Sequence, residues 1–216
     1  ELLVFADPGK GMAAQLTRLE TAVERLPAPA ELRRLIIAAA AGIAKLPADR
    51  QQRSLRRLTE ICLESEELDL AAKYAAQVDR KQRSEYTRRI WLARADLQAA
   101  AGRRAAAAEA YRKAWDADPT RADALYLHGL ALEQAGKPQA GQTALDQAAL
   151  LPLGSPAQRH QLAEALEQRG YREAALAQYE FLLRVGRSGW SYNAALRRMG
   201  RHAEKESGQE EDPYHA

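Results

Sequence analysis

Three glycines recur at one interval: Gly102, Gly136 and Gly170 stand 34 residues apart. Other columns keep step with them. Ala107, Gly141 and Ala175 are small, Tyr111, Leu145 and Tyr179 are bulky and apolar or aromatic, Ala95, Gly129 and Ala163 are small again, and Ala114, Ala148 and Leu182 are apolar. Composition alone does not put so many columns in step, even in a chain this rich in alanine. The segment is an internal repeat. A unit of this length holds two helices that cannot bury their apolar faces alone, so successive units must stack.

The punctuation inside a unit agrees. In the middle one, "ADALYLHGLALEQAG" runs to Gly136, which can take the left-handed conformation that ends a helix. "KPQAGQTALDQAALLP" then starts with Pro138 in a first-turn position and stops at Pro152. In the unit before, Ala107, Ala110, Tyr111, Ala114 and Trp115 form one apolar helical stripe. Asp118-Pro119 closes it, because proline lacks a donor and clashes with the preceding turn. The small residues predict close helix approach, with Trp91, Tyr111, Leu125, Leu145 and Tyr179 filling the seams.

With Trp91, Ala95, Gly102, Ala107, Tyr111, Ala114 and Pro119 in one unit, the pattern resembles the tetratricopeptide repeat family over about residues 88–189. It departs from that family at His128, where leucine is usual, at Pro138, where an aromatic is usual, and in the third unit, which has no closing proline. The resemblance implies an all-α fold, a right-handed α-α superhelix with repeats at 88–121, 122–155 and 156–189. Residues 1–87 then supply degenerate N-terminal helices. "QRSLRRLTEICLESEELDLAAKYAAQVDR" takes the same template, with Leu55, Leu58, Cys62, Ala71, Ala75 and Val78 inward and two extra residues before the next unit. Earlier helices are expected near Met12 to Leu26 and Ala30 to Leu46, separated by "PAPA". Residues 190–204 are expected to form a capping helix whose Trp190, Tyr192, Ala195, Leu196 and Met199 cover the last repeat, and 205–216 an acidic disordered tail.

Composition excludes more than it suggests. Aromatics make up only 6% of the chain, which favours helices over a sandwich or barrel. Lys and Arg total 32 against 29 Asp and Glu, an excess too small to imply nucleic acid. Arg50, Arg53, Arg56 and Arg57 share one helical face, but with Asp49, Glu60 and Asp79 interleaved they read as solvated. Cys62 is the single cysteine, so neither an intrachain disulfide nor a multi-cysteine metal site can form. "DPGKG" lacks the spacing and hydroxyl of a phosphate loop and reads as a turn before the first helix. His160 and Glu164 share a helical face without a third ligand, and His128, His202 and His215 have no partner spacing; all four histidines read as surface or groove residues. The carboxylate pairs Glu66-Glu67 and Glu210-Glu211 read as solvated. "LRRLIIAAAAGIAKL", Leu32 to Leu46, is interrupted by Arg33, Arg34 and Lys45 and reads as a buried helix, not a membrane span.

No catalytic, cofactor or metal constellation emerges, and the expected function is non-catalytic. The resemblance implies a concave groove lined by first helices, here Arg89, Leu92, Asp96, Ala99 and Ala100, then Asp123, Tyr126, Leu130, Glu133 and Gln134, then Ala157, His160, Glu164, Glu167 and Gln168. The expected partner is a peptide with apolar anchors around Leu92, Tyr126 and Leu130 and basic residues facing Glu133, Glu164 and Glu167. The alternative is a structural subunit that self-assembles or docks in a larger complex. The cytoplasm is the favoured compartment; beginning at Glu1, the sequence also leaves open a piece of a membrane-anchored or exported bacterial protein.

Overall fold

Helix after helix follows the sequence punctuation. The structure is a computed structural model that describes residues 8–24, 29–151, 153, 155–186 and 188–206. Among the described residues it contains eleven helices and no strand. Two units divide the chain, one running to Pro119 and the other beginning at Thr120.

In the first unit the helices are α1 (Pro8–Glu24), α2 (Pro29–Ile43), α3 (Ala48–Glu64), α4 (Leu68–Ala75), α5 (Arg80–Ala100) and α6 (Arg104–Ala117). The second holds α7 (Ala122–Gln134), α8 (Pro138–Leu150), α9 (Pro156–Gln168), α10 (Arg172–Val185) and α11 (Trp190–Glu206). Neighbours in sequence pack as hairpins: α3 with α4, α5 with α6, α7 with α8, and α9 with α10.

Three of these hairpins turn identically. Gly102, Gly136 and Gly170 have φ of 71°, 78° and 80°, a region that other L-residues enter only at a cost of about 1–2 kcal/mol. Each glycine N–H donates to the carbonyl three residues back, and the following N–H reaches five back: Arg103 to Gln98, Lys137 to Leu132 and Tyr171 to Leu166. Those bonds satisfy carbonyls that the helix end would otherwise strand. A fourth left-handed turn joins α3 to α4: there the residue is Glu66, with φ 58°, whose N–H donates to Leu63 three back, without the second bond of the other three. It precedes Gly102 by 36 residues, two more than the repeat interval, and α5 is correspondingly long, 21 residues against 13 in α7 and α9. The unit boundary drawn at Arg88 therefore falls inside α5, whose backbone already turns helical at Arg80 after Asp79.

The repeat columns fill the seams. Ala95, Ala163, Ala107 and Ala175 are buried, as are Tyr111, Tyr179 and Leu125, whereas Trp91 and Leu145 are half-buried. Trp91 is gripped from its face by Arg94 and Lys113, with the cations 4.8 and 4.7 Å from the ring centroid. The middle hairpin replaces both small columns with glycine, and there the backbones themselves meet. A Cβ on Gly141 would lie 2.8 Å from the Gly129 carbonyl oxygen, and one on Gly129 would lie 3.0 Å from that of Gly141. Upstream, Leu55, Leu58, Cys62, Ala71, Ala75 and Val78 are all buried and join α1 and α2 in one core.

Four expectations need correction. Lys10 and Gly11 lie inside α1, because Pro8 opens that helix earlier than a turn would allow. The Leu32 to Leu46 segment is buried on one stripe only, through Leu32, Ile36, Ala39 and Ile43. Leu35 and Ile37 stay 43% and 47% exposed because, among the described residues, α2 packs chiefly against α1 and α3. The capping helix forms as α11 against α10 and α9, with Ala195 buried as expected and Tyr192 and Met199 half-buried, but Leu196 stays 52% exposed and Trp190, which covers His160 edge-on, 63% exposed. It also runs to Glu206, two residues into the segment expected as tail. Finally, Glu66 and Glu67 differ: Glu66 is exposed in its turn, and Glu67 pairs with Arg33 at 2.8 Å. The expectations for Leu26, Pro152, residues 207–216, Glu210-Glu211 and His215 fall outside the described residues.

Candidate functional site

The predicted groove residues separate into those the chain has already engaged and those it leaves open. In the first unit, Arg89 of α5 donates to Glu60 of α3 at 2.7 Å, and that hydrogen bond holds its guanidinium above the ordinary value. Asp96 accepts from the Tyr111 hydroxyl at 2.6 Å, so the carboxylate serves the α5/α6 seam. Leu92 is half-buried.

In the second unit α11 decides the outcome. It lies along α9 and engages the residues expected to face a ligand. His160 is not a surface group: it is 2% exposed, packed with Trp190 at 4.7 Å edge-on and Tyr179 at 5.7 Å, with Nε2 3.3 Å from Glu164. Its Nδ1 is buried without a hydrogen-bond partner. Glu164 also lies 3.9 Å from Arg198. Glu167 accepts from the Tyr179 hydroxyl at 3.0 Å, meets Nε2 of His202 at 3.1 Å and lies 3.7 Å from Arg198. Burial first, then that bond to Glu167, pushes the Tyr179 hydroxyl well above the usual phenol range. The carboxylates Glu164 and Glu167, expected to attract a basic peptide, thus face Arg198 and, for Glu167, His202 of the chain's own cap. Glu133 and Gln134, on α7, remain exposed, and Tyr171 reaches Gln134 at 3.5 Å.

Tyr126 and Leu130 of α7 are half-buried. Burial raises the Tyr126 hydroxyl, with Arg159 and Gln178 pulling the other way. These side chains lead to a feature that the repeat columns did not announce. Between the start of α9, the end of α10 and the start of α11 lies a half-open hollow of about 600 Å³. Its walls include Pro156, Phe181, Val185, Trp190 and Tyr192, and the only charged side chain among the described residues lining it is Arg159. Phe181, Val185 and Trp190 are 44%, 66% and 63% exposed, and few other large apolar side chains among the described residues are exposed.

Arg159 is held in place from two sides. Its guanidinium carbon stands 3.8 Å from the Phe181 centroid, and one amine donates to the Gln178 amide oxygen at 2.7 Å. Gln178 is buried. Burial depresses the guanidinium, and the neighbour that offsets this is the Tyr126 hydroxyl, not a carboxylate. A sequence signal for it existed. Arg159 falls in the column of Trp91 and Leu125, each 34 residues from the next, where the seam calls for an apolar group. Arginine meets that demand with its stem and its stacked planar face while keeping a charge.

Among the described residues no group of three or more His, Cys, Asp or Glu side chains is placed to hold a metal ion. No helix among them is long and apolar enough to cross a membrane. Comparison with protein-family models and with curated proteins finds no match to this chain.

Proposed function

We propose that this chain is a tetratricopeptide-repeat-like scaffold, a right-handed α-α superhelix in the segment 88–189, that holds a peptide segment of a partner without catalysing a reaction on it. The observation that carries the reading is the threefold recurrence of one helix hairpin, with its left-handed glycine and its two carbonyl bonds, at a 34-residue interval. Identical hairpins with small residues at the seams are the units from which helical repeats are built, and such repeats bind through surface shape and charge. An array of unrelated immobilised peptides, followed by mapping of the best binder by amide chemical-shift changes, tests it. Binding that perturbs α7 and α9–α11 and leaves the peptide chemically unchanged supports the reading. Absence of any binder tighter than about 1 mM, or processing of a bound peptide, refutes it.

One observation favours the alternative of a structural subunit. Leu35 and Ile37 leave an exposed large apolar side chain on each flank of the buried stripe of α2. Sedimentation velocity across a range of concentrations tests it, and a strict monomer would count against self-assembly.

A further inference from the structure

We infer that the hollow between α9, α10 and α11 is the point of peptide contact in the second unit, and that it selects an acidic partner: a large apolar side chain next to an Asp or Glu. This rests on the peptide-binding reading above and reverses the charge expected from the sequence. Charge complementarity carries it. The two carboxylates of α9 that would have called for a basic ligand are engaged by Arg198, His160, His202 and Tyr179. No acidic side chain lines the hollow among the described residues.

Arg159 is half-buried, and its charge is met by an amide oxygen, a phenol and an aromatic face. A cation held away from water by neutral groups gains most from an anion that arrives already desolvated by an apolar neighbour. The apolar walls supply that neighbour's seat. A hollow of about 600 Å³ lies in the range of ligand pockets and admits one aromatic or branched side chain with the residues flanking it. Ser155 lines it as well, although its hydroxyl already accepts from the Gln158 amide at 3.3 Å. Ser188 and Ser191 line it too but carry no charge, so selection by charge falls to Arg159, and affinity to Phe181, Val185 and Trp190.

The test uses the full chain and three end-blocked, fluorescently labelled peptides, Gly-Ser-Ser-Phe-Ile-Glu-Ser-Ser-Gly and its Glu→Gln and Glu→Lys forms, read by anisotropy. The Glu form is expected to bind about tenfold tighter than the Gln form, with Lys weakest, and the gap is expected to shrink as salt rises. Val185→Glu changes an exposed position and so spares the fold; it is expected to weaken the Glu form at least as much as removing its carboxylate does, and to favour the Lys form. Arg159→Gln is expected to level the three affinities. It also loses the stack on Phe181, which is why Val185→Glu is the primary variant.

Equal or tighter binding of the Lys form, or no effect of Val185→Glu, overturns the inference while the peptide-binding reading stands. Failure of all three peptides overturns the inference alone if the array yields binders elsewhere on the chain, and both readings if it yields none. Displacement of the Glu form by octanoate at equal concentration would reassign the hollow to a small organic acid, and concentration-dependent association abolished by Val185→Glu would reassign it to a second copy of the chain; either result overturns the peptide assignment.

Discussion

Adding one methyl group at Gly141 should loosen the middle hairpin, although the same change would normally strengthen a helix. In the interior of α8, Gly→Ala gains about 1 kcal/mol of helix propensity. Against that stands the α7 backbone: the new Cβ would lie 2.8 Å from the Gly129 carbonyl oxygen and 3.1 Å from the Glu133 amide nitrogen. It would also meet Glu133 Cγ at 2.5 Å, but that side chain is exposed and can swing aside. The backbone atoms cannot, so the two helices must separate. Overpacking of this kind costs about 2–3 kcal/mol, leaving a net loss of about 1–2 kcal/mol. Gly136→Ala isolates the other role of glycine, because a Cβ there meets nothing within 4 Å and only the φ of 78° is strained. Its loss should be about 1 kcal/mol, the left-handed cost less the entropy removed from the unfolded chain. Urea titration followed by far-UV circular dichroism reads both. Ala95 and Ala107 hold the matching positions of the α5/α6 hairpin, both buried, so an alanine is not foreign to either column. If Gly141→Ala is as stable as the parent or more so, α7 and α8 do not meet through their backbones and the account of the middle hairpin fails.

Three further outcomes follow from single side chains. Glu66→Gly should raise stability by about 0.5–1 kcal/mol, since it removes a left-handed residue whose side chain is exposed, and a lower urea midpoint would contradict that. Glu167→Ala should cost about 1–3 kcal/mol by orphaning the buried Tyr179 hydroxyl, and should speed amide exchange throughout α11 as His202 loses its partner and Arg198 one of its two carboxylates; unchanged exchange there would refute the docking. Stability should fall as the solution becomes alkaline. Burial, assisted by Glu67, pushes the Cys62 thiol from 9.0 up to about 12, so above pH 9.0 the unfolded chain sheds a proton that the folded chain keeps. The loss begins near pH 9.0 and is complete near 12, with Tyr179 adding to it above the usual phenol range. Cys62→Ala should flatten the first part of that decline in urea midpoints measured against pH, and an unchanged slope would refute the assignment.

The all-α class was legible because its strongest marks are single-residue constraints. A glycine at a helix end that must turn left-handed leaves a trace at a fixed interval, and three such traces place six helices. Glu66 takes the same left-handed conformation and leaves none, since nothing in a glutamate signals a positive φ; only the inward apolar positions around it betrayed the fourth hairpin. The flanks of α2 were misread for a related reason. Leu35 and Ile37 are as apolar as Ile36 and Ile43, and sequence cannot say how many neighbours a terminal helix will find.

The candidate site was less legible, and the cause is geometric. A repeat template assigns each residue to a face of its own helix but says nothing about what lies over that face, because the covering residues belong to no column. Arg198 and His202 have no counterpart in the earlier units, yet they change Glu164 and Glu167 from ligand-seeking charges into anchors of α11. Arg159 moves the opposite way. In its column it looks like a flaw in the seam; in three dimensions its flat cation covers Phe181 and turns a packing position into one wall of an apolar hollow. In the proposed reading, the sign of the partner's charge follows from the charges left over after α11 has docked, and which ones are left over depends on side chains outside the repeat.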